Sequence, residues 1–126
     1  MTVLSILFVG QTVPGSRTFQ RIDAFRRLGH NVEVVPTNLS GARYEDKPSL
    51  AARLRYRLRV PKDMANAGRS ILRNMRDRSF DILWLERAVE IGANTLRNVK
   101  KLNPAIQIIW YAEDDMINPH HRTRHV

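Results

Sequence analysis

Strands that alternate with helices along the chain predict an α/β fold, a Rossmann-like three-layer sandwich around a four-stranded parallel sheet. Short apolar runs rich in branched residues fall at 4–9, 32–35, 80–85 and 106–111, as strands buried on both faces read. Between them, apolar residues recur every three or four positions, the spacing of a helix face. Turn formers separate the two patterns, at Gly10, Gly15, Gly29 and Asn103-Pro104. Half-Rossmann connectivity then leads to an expected strand order of 3-2-1-4.

The first strand, 4–10, runs into the loop 11–18 and a helix reaching Leu28. Phe19, Ile22, Phe25 and Leu28 recur every third residue and are expected on one buried face. Gly29 stands where a helix takes a left-handed terminating residue. Val32, Val34 and Val35 open the second strand, which completes a βαβ unit with a right-handed connection. Residues 36–48 collect Pro, Asn, Ser, Gly and Asp and read as a loop. Asn38-Leu39-Ser40 fits a glycosylation acceptor pattern, a chance match in a chain without a secretory signal. Residues 49–60 carry two periods: Leu50, Leu54 and Leu58 are helical, while alternating Arg and apolar residues are strand-like. Helix is favoured because Leu, Ala and Arg form helices well and β-branched residues are scarce. Loop and helix together make a basic insert over 37–62. Pro61 suits the first turn of a further helix, buried along Met64, Ala67, Ile71 and Met75 and ending near Arg78. The third strand, 80–85, is closed by Glu86-Arg87. Leu96, Val99 and Leu102 mark the last helix, and 106–111 a fourth buried strand. Trp84, Trp110 and Tyr111 are expected in the core.

A length of 126 residues fits one domain, and a hydrophobic fraction of 43% is ordinary for a globular chain. There is no cysteine, which excludes disulfides and thiolate metal sites. The N-terminus has no basic region before its short apolar run, and no stretch approaches the roughly 20 apolar residues of a membrane span. A cytoplasmic protein is expected. The net charge of +9 points to an anionic partner or to a solvated basic surface. No zinc-finger spacing, stacking-aromatic motif or helix-turn-helix is present, so nucleic acid is not expected. Much of the charge lies between residues 43 and 62, with seven bases against two acids. Arg53, Arg55, Arg57 and Arg59 on a helix could touch an acidic membrane from the periphery. The thin apolar seam between them favours a solvated helix on the rim.

Ligands of open parallel sheets bind outside the carboxyl ends of the strands. Three groups are expected there: residues 10–18, Glu86 with Arg87, and Glu113, Asp114 and Asp115 with the residues after them. The spacing of Gly10 and Gly15 is that of a P-loop, but Ser16 stands where the lysine belongs, and the dinucleotide pattern is also absent. What remains is a Gly-Ser helix start with Arg17 and Arg21 nearby. It suits an anion or sugar hydroxyls, and equally a tight turn with a serine cap. Asp114 and Asp115 could serve as a base, a metal pair or a polyol-binding pair, and a binding role is preferred. His120 and His121 read as surface residues, since neighbouring histidines rarely share a metal, and no metal site or cofactor is expected. A receiver domain would need acids after the first strand and an aspartate after the third; Gly10-Gln11-Thr12 and Glu86 stand there instead.

Several of these stretches, in order, resemble the CgeB-like glycosyltransferases. They are Phe8-Val9-Gly10 with Gly15-Ser16-Arg17-Thr18 and Gln20-Arg21; Phe80-Asp81-Ile82-Leu83-Trp84-Leu85-Glu86 with the Thr95-Leu96-Arg97 helix; and Tyr111-Ala112-Glu113-Asp114-Asp115-Met116-Ile117-Asn118-Pro119. That family often shows Tyr-x-x-Asp-Asp at the last of these, with Pro where this chain has Glu113. The resemblance implies a GT-B architecture of two Rossmann-like domains with the active site between them. This chain resembles the first part of the N-terminal, acceptor-side domain, and the C-terminal donor domain would be its missing partner. The implied function is transfer of a sugar from a nucleotide-sugar to an acceptor hydroxyl. Gly10, Gly15, Ser16, Arg17, Arg21 and Glu86 would then bind substrate, and Asp114 or Asp115 would bind or deprotonate the acceptor. The 126 residues alone are expected to be inactive. The competing expectation is a non-enzymatic α/β binding module that uses the same sheet edge for an anionic ligand or a partner domain.

Overall fold

The computed structural model describes residues 2–38 and 66–112. Most of the basic insert, including Arg53, Arg55, Arg57 and Arg59, lies outside them, as do Pro61, Met64, Asp114, Asp115, His120 and His121. The described elements are β1 (Ser5–Gly10), α1 (Arg17–Arg27), β2 (Asn31–Pro36), α2 (Ala67–Asp77), β3 (Ile82–Glu86), α3 (Ala93–Leu102) and β4 (Gln107–Tyr111). All neighbouring strands are parallel, so the expected α/β class and four-stranded parallel sheet are present. No described helix is long and apolar enough to cross a membrane.

The strand order is β2-β1-β3-β4, not 3-2-1-4. The third strand lies beside β1, on the side away from β2. Polarity accounts for the difference. Residues 82–85 of β3 are apolar at every position and need an interior slot, with Leu83 and Leu85 fully buried. β2 carries Asn31, Glu33 and Pro36 and tolerates an edge. The chain therefore reverses direction between β1 and β3. With right-handed crossovers, that reversal sends α1 to one face and α2 and α3 to the other.

Side-chain alternation fills both faces. Phe8 meets Phe25 of α1 at 6.1 Å and Trp84 at 6.3 Å between ring centroids. On the other face Leu7, Val9, Val35, Leu83 and Leu85 share one core with Ala67, Ile71 and Met75 of α2 and Val99 of α3. Of the stripe expected on this helix, Ala67, Ile71 and Met75 are buried; α2 begins at Ala67 behind the N-cap Asn66, and Met64 and Pro61 lie outside the described residues.

The stripe expected on α1 is not. Phe19 is 45% exposed and Leu28 55%, while Thr18 and Ile22 are buried. Each three-residue step falls about 60° short of a full turn, so three steps carry Phe19 and Leu28 to opposite sides of the helix. The stripe that packs is Thr18, Ile22 and Phe25, at i, i+4 and i+7. Gly29 ends α1 as expected, at φ +92°, with its N–H donating to Arg26 O at 3.0 Å.

β4 is not buried on both faces. It is the last strand in the described order, Gln107 is exposed and Ile109 is 36% exposed. Ile106, just before it, is the fully buried residue. Trp84, Trp110 and Tyr111 are half-buried rather than core.

Candidate functional site

β1 and β3 are neighbours whose following loops diverge, one to α1 on one face and the other toward α3 on the opposite face. Such a reversal opens a crevice at the carboxyl ends of the two strands. A cleft of about 620 Å³ lies there. Gln11, Gly15, Arg17 and Thr18 line it from the β1 side, Thr37 from the end of β2, and Glu86, Arg87 and Glu90 from the β3 side.

Two glycines shape the near wall for different reasons. Gly10 is a close approach: a Cβ there would stand 3.2 Å from Phe8 Cε1 and 3.2 Å from Thr18 Cγ2. Its lack of a side chain lets the first turn of α1 pack onto the strand end. Gly15 has open space around it but φ +82°, which L side chains rarely adopt. The turn it makes is closed by Ser16 N–H donating to Val13 O at 3.0 Å. Ser16 holds the N-cap position without a side-chain cap hydrogen bond; its hydroxyl donates instead to Gln11 O at 3.4 Å. The serine cap expected of a plain turn is therefore absent. Opposite, Thr12 N–H and Oγ1 both donate to Asn38 Oδ1, at 2.6 Å and 3.1 Å, which ties the loop after β1 to the end of β2.

Glu86 is the centre of the far wall. It is only 6% exposed, and three donors converge on its carboxylate. Thr18 Oγ1 donates to Oε2 at 3.0 Å, Arg21 Nε donates to Oε1 in an ion pair, and Trp84 Nε1 reaches Oε1 at 3.4 Å. A buried carboxylate needs such partners, because desolvation penalises an unpaired charge heavily. The Arg21 guanidinium also sits 4.2 Å above the Tyr111 ring, and that ring stacks on Trp84 at 5.6 Å. Glu86 and Tyr111 are register partners across β3 and β4, so the sheet fixes this spacing. Arg87 takes a left-handed φ of +50° while its N–H donates to Tyr111 O at 2.9 Å. A non-glycine residue held there stores strain of about 1 kcal/mol.

Of the residues expected at the site, Gly10, Gly15, Ser16, Arg17, Arg21 and Glu86 lie at one edge of the sheet. Gly15, Arg17 and Glu86 line the cleft itself. Gly10 and Ser16 are buried behind it, and Arg21 braces Glu86. Sequence reading missed Thr37 and Glu90 as lining residues, and missed Tyr111 and Trp84 as supports of the Arg21–Glu86 pair. Tyr111 became visible only through the β3–β4 register, whereas Trp84 shares the face of Glu86 two residues along the same strand, a signal alternation could have given. Among the described residues no three His, Asp or Glu gather as metal ligands do.

The lining combines guanidinium groups, carboxylates, hydroxyls and an amide within one crevice. It can meet an anionic group and hydroxyl groups of the same ligand. No protein family, curated protein or solved structure matches the chain.

Proposed function

We propose that this cleft binds a phosphorylated sugar derivative, and that the chain is the acceptor-side part of a GT-B glycosyltransferase using a nucleotide-sugar donor. The observation that carries the reading is the mixed lining at the strand reversal. Arg17 and Arg87 suit phosphate oxygens. Glu86 and Glu90, with Thr18, Thr37 and Gln11, suit sugar hydroxyls, which both donate and accept. The ordered resemblance of the segments around Gly10–Arg21, Glu86 and Asp114-Asp115 supports the same reading. In the complete enzyme Asp114 or Asp115 would take the proton of the acceptor hydroxyl.

Rate in such an enzyme comes from holding donor and acceptor together in one dry cleft. A single wall supplies binding without that alignment. The 126-residue chain is therefore expected to bind nucleotide-sugars weakly and to transfer nothing. The test is titration with a panel of nucleotide diphosphate sugars, followed by NMR, with an assay for released nucleotide diphosphate. Shifts confined to the cleft and lost in Arg17→Ala/Arg87→Ala support the reading. No shift with any sugar nucleotide, or shifts elsewhere, would sink it. Turnover above a protein-free blank, abolished by Asp115→Asn, would show that the chain is an enzyme by itself. Equal binding of phosphate without any gain from the sugar would favour a plain anion-binding module.

A further inference from the structure

A second surface, independent of the cleft, carries a different signal. α2 and α3 lie side by side over one face of the sheet and share its core through Ala67, Ile71, Met75 and Val99. On α2, Arg69, Arg73 and Arg76 follow at i, i+4 and i+7, and all are exposed. At 100° per residue they centre on the side opposite Ile71. On α3, Arg97 and Lys101 are exposed one turn apart, on the side opposite Val99. Both sets of cations therefore point outward from the same helical layer. One acid, Asp77, occurs on the two helices, and it is the last residue of α2. With a rise of 1.5 Å per residue, the Arg69–Arg76 row runs about 10 Å along α2 and the Arg97–Lys101 row about 6 Å along α3, with neighbouring axes about 8–10 Å apart.

The kind of partner follows from shape and composition. The two helices make a flat layer, and the charge belongs to that layer as a whole rather than to a projecting helix. Among the described residues no exposed aromatic side chain stands among the cations to stack on bases. We infer that the outer face of α2 and α3 is a docking surface for an acidic lipid bilayer, with Arg69, Arg73, Arg76, Arg97 and Lys101 against the headgroups.

The test is co-sedimentation of the full 126-residue chain with vesicles of neutral lipid containing 30% phosphatidylglycerol, at about 50 and 300 mM salt. The chain should bind these vesicles, release them at high salt and ignore neutral vesicles. Arg69→Gln/Arg73→Gln/Arg97→Gln alters exposed positions with a residue of similar helix propensity, and its fold is checked by far-UV circular dichroism. Three charges at a membrane surface correspond to an affinity loss on the order of a hundredfold. Arg53→Gln/Arg55→Gln/Arg57→Gln/Arg59→Gln is the comparison. Affinity of the α2/α3 variant within about threefold of the parent would overturn the inference. So would a loss confined to the Arg53–Arg59 variant, no vesicle binding at all, or preference for a random DNA duplex over the vesicles at equal phosphate.

Discussion

Glu86 shows how one residue can organise a wall. Its carboxylate joins α1, through Thr18 and Arg21, to β3, through Trp84. Glu86→Ala would leave these donors without their acceptor and is expected to destabilise the protein by about 2 kcal/mol. Arg21 is partly exposed and recovers some hydration, which keeps the loss below that of a fully buried pair. Urea unfolding followed by far-UV circular dichroism measures it, and a loss under about 0.5 kcal/mol would contradict the bracing role. Gly10 offers a sharper test. Gly10→Ala presses a methyl against Thr18 Cγ2 and Phe8 and is expected to cost about 1–2 kcal/mol. Thr18→Ser removes the opposing methyl and keeps the hydroxyl on Glu86, so the double variant should regain part of the loss. Additive losses in a double-mutant cycle would place the strain elsewhere.

Apolar spacing at the scale of elements is informative only in combination. In α2 the spacing of four gave a correct stripe, because Ala67, Ile71 and Met75 stay within one face. In α1 the spacing of three drifted round the helix. Leu85→Ala in β3 is therefore expected to cost about 3 kcal/mol, whereas Leu28→Ala should stay within about 0.5 kcal/mol. Thermal or urea denaturation of the two variants decides; similar losses would mean that exposure misreports the packing of α1. The Gly29 terminus and Gly15 turn were legible because each needs a positive φ, which composition signals directly. Ser16 was legible only as an N-cap by type; its actual partner, Gln11 O, depends on the path of the loop.

For the whole molecule, the parallel α/β class followed from the alternation of apolar periods, but the order of strands did not. Pattern says that a strand is buried, not which neighbour buries it. The polar Asn31 and Glu33 in β2 against the unbroken 82–85 run were the available clue, and half-Rossmann analogy overrode them. The Arg21–Tyr111 contact needed the β3–β4 register, which no local pattern encodes, whereas Trp84 and Glu86 stand two apart on β3 and share a face by simple alternation. The order makes its own prediction. β1 and β3 are flanked on both sides and β2 and β4 on one side among the described elements. Native-state hydrogen exchange should therefore protect the amides of Leu7, Val9, Leu83 and Leu85 most strongly. Stronger protection in β2 than in β1 would contradict the arrangement.

The two indoles have fallen on opposite sides of the sheet, and this gives the protein an optical reporter. Trp84 lies on the α1 side with its N–H on Glu86, while Trp110 packs against the other core. A ligand that draws on the Glu86 carboxylate alters the polarity and hydrogen bonding of one fluorophore and leaves the second as an internal reference. Intrinsic emission should then shift on filling the cleft, in proportion to occupancy and without a label. Trp84→Phe should silence that response, and Trp110→Phe should preserve it.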